Sequence, residues 1–509
     1  MKRFAYCIEN IQFMNAILGV IFHFIGGFAS GSFYIPYKKV IKILSKKTVA
    51  SQNILLFTKE DWSKAKSEYP TIQPFFEAKQ HEVFVIPREK SVDFLIGLGS
   101  KEEAKDFVFQ QVGNKFSNDF KDKLKSSTTS ISGKLTEAQC TNFVKGLFLG
   151  TYKYPFEKSH PFWKKGFEIY ADALPEKNLK SIALQTEALC DGQFAGMEWL
   201  NKPANFKTTK AISTFLESTC KKLKISYRAF NRSESKKIGL GAFCAVNQGS
   251  SQEAAFTIME YKGGGAKAKT IGLVGKCVLF DTGGISIKPS QNMHYMKSDM
   301  GGASAVIGTL FTLAALKMPV NVVAILPITD NAVSEKSYLP SDVIKAYNGK
   351  TIEVLDTDAE GRMTLADGLA YLTKNYKTDV LIDLATLTGS AVRMFGYTCG
   401  AYFSNNESLK KQLEVSADKT NQRIWNLPLW DVWKEDFTSD VADFRNISSK
   451  PFGDCIVAGK FLEQFIEGHT HWAHLDIAGV AFGNVHYTKE KAATGYGVQL
   501  LIDFIGQQI

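Results

Sequence analysis

The sequence predicts an α/β protein of two domains, in which a smaller N-terminal α/β domain precedes a larger C-terminal α/β domain with a mainly parallel central sheet flanked by helices. Three observations predict this class. The chain has 509 residues, more than one domain usually holds. Its composition, 45% apolar and 22% charged, is that of a globular protein. Short apolar runs alternate with amphipathic stretches, which is typical of strands and helices in a parallel sheet.

The first 40 residues differ from the rest, and we interpret 1–40 as an apolar N-terminal extension. Residues 10–37 contain no Asp, Glu, Lys or Arg. A signal peptide fits because small residues follow the apolar run at 29–32, whereas polar residues within the run disfavour a membrane anchor. A transit peptide or an untranslated leader are further alternatives. We expect membrane contact only if residues 10–37 are retained as an anchor.

Three predicted segments follow, each justified by its own pattern. We assign residues 41–175 to an N-terminal α/β domain, 176–200 to a linker helix and 201–509 to the larger C-terminal domain. The N-terminal strands are NILLF, EVFVI and DFLIGLG, with helices at 102–125 and 136–151. The C-terminal strands are KTIGLVGKCVLF, NVVAILPI and VLIDLATL, with helices at 303–316 and 367–375.

Charge and cysteine content indicate which partners and which cellular compartment to expect. Of the net charge of +10, residues 1–50 carry +6, so the other 459 residues carry only +4 and we expect no nucleic-acid partner. The eight cysteines include no Cys-x-x-Cys pair and are read as buried, reduced thiols. We therefore expect a cytoplasmic protein, with a mitochondrial or secreted location as the alternative that depends on residues 1–40.

The polar residues that could take part in catalysis or metal binding follow the predicted C-terminal strands. They form three blocks, at 275–284, 296–303 and 356–362. They contribute four carboxylates from three loops, which are Asp281, Asp299, Asp358 and Glu360. Because parallel strands end at one edge of a sheet, we expect these groups to meet there. Carboxylates grouped without cations repel one another, and oxygen ligands without His or Cys suit Mg, Mn or Zn in a two-metal site.

A purely structural interpretation is open for each block taken alone. Asp358 and Asp299 are residues that cap helices, and Glu360 suits the first turn of a helix. The glycine pair Gly283-Gly284 suits a turn.

Taken together, the three blocks closely resemble the signatures of the leucyl aminopeptidase family, the cytosolic-type dinuclear metallo-aminopeptidases. Further matches lie at 201–205, 241–250, 383–389 and 472–479. The resemblance covers about residues 195–505. Residues 50–190 resemble the family only in their α/β pattern, and residues 1–40 do not resemble it.

The resemblance implies the role of each site residue. One metal is held by Lys276, Asp281, Asp299 and Glu360, and a second by Asp281, Asp358 and Glu360. The ions are two divalent cations per subunit, Zn or Mn, with Mg or Co as alternatives. Lys276 as a ligand must be a neutral amine, so its pKa must be lowered.

The catalytic residues implied are Lys288 and Arg362. A water bridging the metals attacks the peptide carbonyl, Lys288 polarises its oxygen, and a bicarbonate at Arg362 relays the proton. The first residue of the peptide is bound through its amine by Asp299, and its side chain by Met296, Thr386, Leu387 and Gly389. This pocket suits Leu or another apolar residue.

The expected protein is thus a leucyl aminopeptidase that acts on peptides and forms a homohexamer. Asp356 is the clearest departure, since the family usually has Asn there, while Thr282 replaces Ser and Cys277 replaces Gly. Two alternatives remain: a catalytically silent structural or binding subunit of the same fold, and a dinuclear hydrolase of another specificity.

Overall fold

The computed structural model describes residues 41–43, 52–120, 128–154, 167–172 and 174–509. It confirms the predicted α/β class. The extension at 1–40, and with it the choice among signal peptide, anchor, transit peptide and leader, lies outside the described residues. Within those residues, no helix combines the length and the apolar character needed to cross a bilayer.

The N-terminal part is a six-stranded sheet with helices packed on it. Its elements are β1 (Ile41–Ile43), β2 (Gln52–Phe57), α1 (Lys59–Ala65), β3 (Val83–Pro87), β4 (Val92–Gly97), α2 (Asp106–Phe120), β5 (Thr128–Ser132), α3 (Glu137–Leu149) and β6 (Phe167–Ala171). The strand order is β1-β6-β5-β2-β4-β3, and every pair is parallel except β3 with β4. A capping box formed by Thr136 and Gln139 starts α3.

The remainder of the chain forms a larger set of elements. Its helices are α4 (Glu176–Asn201), α5 (Thr209–Leu223), α6 (Arg232–Ile238), α7 (Gly241–Asn247), α8 (Gly301–Ala315), α9 (Glu360–Asn375), α10 (Gly389–Phe395), α11 (Glu407–Thr420), α12 (Asp454–Leu462) and α13 (Val498–Gly506). Its strands are β7 (Ser226–Phe230), β8 (Ala255–Lys262), β9 (Thr270–Gly275), β10 (Cys277–Asp281), β11 (Asn321–Asn331), β12 (Val343–Lys345), β13 (Thr351–Glu353), β14 (Val380–Ala385), β15 (Gly400–Ser404), β16 (Ile424–Asn426), β17 (Phe444–Arg445), β18 (Trp472–Asp476), β19 (Phe482–Gly483) and β20 (Ala492–Ala493).

Nine of these strands form the central sheet. Its order is β16-β15-β18-β14-β9-β11-β8-β7, with β10 added beside β11. The middle pairs β18-β14, β14-β9 and β9-β11 are parallel, as predicted. All six residues of β14 are buried, because helices cover both faces of the sheet.

One predicted strand is wrong in detail. The run KTIGLVGKCVLF forms two strands that are separated at Lys276 rather than one. The Lys276 amide donates to the carbonyl oxygen of Leu384 at 3.0 Å, and its own carbonyl accepts from the Ala303 amide. These bonds tie the break to β14 and to the start of α8. The helix predicted at 367–375 also begins earlier, at Glu360.

The helix α4 occupies the stretch where we predict the linker, and it packs closely along α8. A Cβ on Gly196 would lie 2.3 Å from the carbonyl oxygen of Ser304, and one on Gly192 would lie 2.3 Å from Thr312 Oγ1. Only glycine permits this approach. The domain ranges stay a prediction, but the contact shows that α4 is part of the larger core.

The last residue of α4 joins three parts of the chain. Asn201 Nδ2 donates to the hydroxyl oxygens of Tyr152 at 3.2 Å and Tyr487 at 3.0 Å, and its Oδ1 accepts from the Ala493 amide at 2.8 Å. Tyr152 follows α3, whereas the other two partners belong to the segment around β20. The side chain is buried, so these bonds fix the junction.

Candidate metal centre and active site

The predicted carboxylates meet at one edge of the central sheet. Asp281 ends β10, Asp299 stands between a 3-10 helix (Met293–Ser298) and α8, and Asp358 and Glu360 lie at the start of α9. Oxygen atoms of Asp281, Asp358 and Glu360 lie within 4.8 Å of one another. The structure therefore brings together residues from all three sequence blocks.

The inner cluster consists of Lys276, Asp299 and Glu360. Lys276 Nζ lies 2.8 Å from Asp299 Oδ1 and 2.9 Å from Glu360 Oε1, and it donates to the carbonyl oxygen of Thr386 at 2.9 Å. All three side chains are at least nine-tenths buried. Lys276 itself lies at the strand break described above, between β9 and β10.

The protein's own charges favour an ammonium at Lys276. Burial lowers the pKa of Lys276, but the carboxylates of Asp299 and Glu360 raise it by more, so the pKa lies above its usual value. The expected neutral amine therefore requires cations, whose charge would oppose that of the carboxylates. Gly361 makes room for the lysine, because a Cβ there would lie 2.6 Å from Lys276 Nζ.

The outer cluster consists of Lys288, Asp281 and Asp358. Lys288 Nζ lies 2.8 Å from Asp281 Oδ2 and also contacts Asp358 Oδ1. Asp281 Oδ1 accepts from Asn331 Nδ2 at 2.8 Å and from the Gly283 amide at 2.9 Å. Burial lowers the pKa of Lys288, but these carboxylates outweigh it and raise the pKa, so the side chain stays cationic.

The donor set fits divalent cations. Burial raises the pKa of Asp299, Asp358 and Glu360, in the case of Asp358 to about 7, and repulsion from neighbouring carboxylates adds to it. The four carboxylates of the two clusters face only two lysines, so a net negative charge remains that dications would relieve. Asp299 Oδ2 is buried and has no hydrogen-bond partner among the described residues. A buried oxygen of this kind is suited to bind a cation.

The capping interpretation is wrong for both helices. The residue before α9 is Ala359 and that before α8 is Met300, and no side chain caps either helix. Asp358 and Asp299 instead face the charged clusters. Asp356 has a local role, because its Oδ1 accepts from the Asp358 amide at 2.8 Å and so forms the turn before α9.

A cavity of about 520 Å³ opens beside the two clusters. It is lined by all four residues predicted to hold the first side chain of the substrate, Met296, Thr386, Leu387 and Gly389. Thr386 Oγ1 donates to Asp299 Oδ1 at 2.9 Å, which links this cavity to the inner cluster. Asp476 Oδ2 accepts from the amide and hydroxyl of Thr388 and thereby fixes the loop.

Arg362 lies at the same cavity but has partners that the sequence did not reveal. Its Nη1 donates to the carbonyl oxygen of Asn446 at 2.9 Å, and its Nη2 donates to Asp454 Oδ1 at 2.8 Å. Asp476 lies in the matching segment 472–479 but no role was predicted for it, and neither Asn331 nor Asp454 was among the predicted site residues.

Comparisons with known proteins agree with this geometry. The sequence model of the cytosol aminopeptidase family, catalytic domain, matches residues 195–502. A probable cytosol aminopeptidase of Chlorobium limicola is 39% identical over 416 residues, which cover 79% of this chain and 81% of that protein. Another, of Rickettsia canadensis, is 37% identical over 451 residues, or 84% of this chain and 89% of that protein.

A solved structure is similar in fold. The bottromycin maturation enzyme BotP in complex with Mn superposes with a TM-score of 0.80 at 27% identity, covering 90% of this chain and 100% of that one. The family resemblance seen in the sequence is therefore confirmed. The chain belongs to the cytosol aminopeptidase family of metallopeptidases.

Proposed function

We propose that this chain hydrolyses the N-terminal residue from peptides and prefers Leu or another apolar residue. The observation that carries the proposal is the cavity beside the charged clusters. There Asp299, whose Oδ2 has no hydrogen-bond partner among the described residues, lines a pocket to which Met296 and Leu387 contribute apolar surface. A carboxylate close to such a pocket can bind a free α-amine while the pocket takes the first side chain.

Two divalent cations complete the proposed site. Lys276, Asp281, Asp299 and Glu360 would hold one, and Asp281, Asp358 and Glu360 the other. When bound, the pair would supply Lewis-acid polarisation of a carbonyl and would lower the pKa of bound water. We propose Zn or Mn as the native ions, with Mg or Co as alternatives. The Mn complex of the related BotP supports this class of ion.

The chain's own residues have distinct roles in the proposal. Lys288 stays cationic and stabilises the negative charge that develops on the carbonyl oxygen. Asp299 orients the α-amine, and Thr386 holds Asp299 by its hydrogen bond. The family resemblance assigns Arg362 a bicarbonate that relays the proton, but its Nη1 and Nη2 already donate to Asn446 and Asp454, and only its buried Nε has no partner among the described residues.

We also propose a homohexamer in a reducing compartment, the cytoplasm. Large apolar side chains that are exposed on the surface support self-association, among them Trp430 at 67% and Phe452 at 74% exposure. The seven described cysteines are free, and all but the half-buried Cys399 are buried, which supports the choice of compartment.

A substrate panel tests the proposal. The metal-loaded protein is assayed on Leu-, Met-, Lys- and Asp-amides, and on N-acetyl-Leu-amide, before and after chelation. We expect Leu- and Met-amide to be cleaved fastest, the acetylated compound not to be cleaved, and chelation to abolish activity until Mn or Zn is restored. Cleavage of the acetylated compound at the same rate would identify a hydrolase of another class, and full activity after chelation would refute the metal site.

A further inference from the structure

Arg362 is already paired with a carboxylate of this chain. Asp454 is the first residue of α12, and its Oδ1 accepts from Arg362 Nη2 at 2.8 Å. The arginine side chain is only 4% exposed, whereas that of Asp454 is 40% exposed. Both residues line the 520 Å³ cavity, so the pair faces the space in which a substrate would bind.

The second oxygen of Asp454 connects the arginine to the substrate loop. Asp454 Oδ2 accepts from Ser390 Oγ at 3.3 Å, and Ser390 Oγ also lies 3.2 Å from Thr388 Oγ1. Thr388 Oγ1 in turn donates to Asp476 Oδ2 at 2.6 Å. The carboxylate of Asp454 thus lies between α9, which carries Arg362, and the loop that lines the cavity.

A helix-start role does not account for this position. The residue before α12 is Gly453, and no side chain caps the helix. An acidic residue in the first turn gains from the helix dipole wherever it points. The observed side chain points to Arg362 and Ser390 instead of to free amides of its own helix.

The environment keeps Asp454 charged. Burial works to raise the pKa of Asp454, but the Arg362 guanidinium and the bond from Ser390 outweigh it, so the pKa lies below its usual value. The pair is therefore an arginine with a permanent anion beside it. A second anion at the same guanidinium would approach a like charge, which disfavours its binding.

We infer that Asp454 is a positioning residue for Arg362, whose guanidinium it holds toward the cavity. The Asp454 carboxylate also occupies the position at Arg362 that a free bicarbonate or a similar small carboxylate would take. The inference rests on the function proposed for this cavity. It predicts that the native chain binds bicarbonate weakly and does not depend on it. Removal of the Asp454 charge opens the guanidinium to an anion from solution.

The test uses the full-length, metal-loaded protein and three variants. Asp454→Asn removes the charge and keeps the shape, Asp454→Glu keeps the charge, and Asp418→Asn is a control on the exposed side of α11. Bicarbonate binding is measured by calorimetry and by the change in Tm. Turnover of Leu-amide is measured in carbonate-free buffer, then with added bicarbonate or formate.

We expect no Tm change and less than about a twofold change in kcat with bicarbonate for the native protein, Asp454→Glu and Asp418→Asn. Asp454→Asn should bind bicarbonate, gain Tm from it, and lose about tenfold in kcat, a loss that bicarbonate or formate reverses. A merely structural role would not produce this rescue by an anion.

Two results would overturn the inference. One is bicarbonate binding to the native protein as tight as to Asp454→Asn. The other is a loss in Asp454→Asn that no anion restores. If none of the proteins cleaves Leu-amide, the proposed function fails, but the binding measurements still decide whether Asp454 excludes an anion from Arg362.

Discussion

The inner and outer clusters of the site each hold one lysine and two carboxylates, but their surroundings differ. Each places one lysine between two carboxylates at hydrogen-bond distance. The side chain of Lys276 is 4% exposed and leaves a break between two core strands, whereas that of Lys288 is 20% exposed and leaves a loop. In the proposed function, burial and backbone support, rather than charge, distinguish Lys276 as a metal ligand from Lys288 as a group that acts on the substrate.

The largest expected effect tests which residues bind both of the proposed metal ions. Asp281→Ala and Glu360→Ala should each lose both metals and reduce kcat below detection, because the proposal gives both residues to both ions. Asp358→Ala should keep about one metal per chain, since Asp358 serves a single ion. Elemental analysis of the purified proteins measures the metal content. Equal stoichiometry in all three variants would contradict the shared ligands.

The next largest expected effect is the difference between Lys276 and Lys288 in their contribution to the free energy of unfolding. In chelated protein at pH 8, Lys276→Met should cost about 3–5 kcal/mol of unfolding free energy, because buried carboxylates lose their cation. Lys288→Met should cost less than Lys276→Met, because the side chains of Lys288 and Asp358 are 20% and 32% exposed, although that of Asp281 is buried. Denaturant titration measures both values, and Lys262→Met, at a side chain 77% exposed, is the control.

Catalysis should sharpen the same contrast. Metal-loaded Lys288→Met should keep both metals and lower kcat by roughly 10²-fold, the usual loss for one oxyanion donor. Lys276→Met should lose metal as well as activity. If the two lysine variants lost metal equally, the assignment of Lys276 as a metal ligand and of Lys288 as a residue that acts on the substrate would be wrong.

The smallest expected effect concerns Asp356, at the edge of the outer cluster. Asp356→Asn keeps the turn, because an amide oxygen can accept from the Asp358 amide as the carboxylate does. It removes one negative charge beside the cations and so makes them stronger Lewis acids. The alkaline rise in kcat should therefore lie at higher pH in the native protein than in the variant. Superimposable profiles of kcat against pH would leave Asp356 with only its role in the turn.

Much of this site could be predicted from the sequence because its residues stand in contiguous blocks at strand ends. Asp281 and Glu360 are brought together by the sheet, as parallel topology requires. The break at Lys276 could not be predicted, since it depends on bonds to Leu384 and Ala303 from distant segments. The pairing of Arg362 with Asp454 was equally hidden, because 92 residues separate the partners.

The close packing of α4 has a consequence for any attempt to divide the protein. A fragment that begins at residue 202 would expose the face of α8 against which Gly192 and Gly196 of α4 pack, and it would lose the three bonds of Asn201. Such a fragment should be insoluble or misfolded, although it keeps every predicted site residue. One that begins before Glu176 retains this surface. The smallest autonomous unit that carries the site should therefore include the helix that the sequence pattern predicts as a linker.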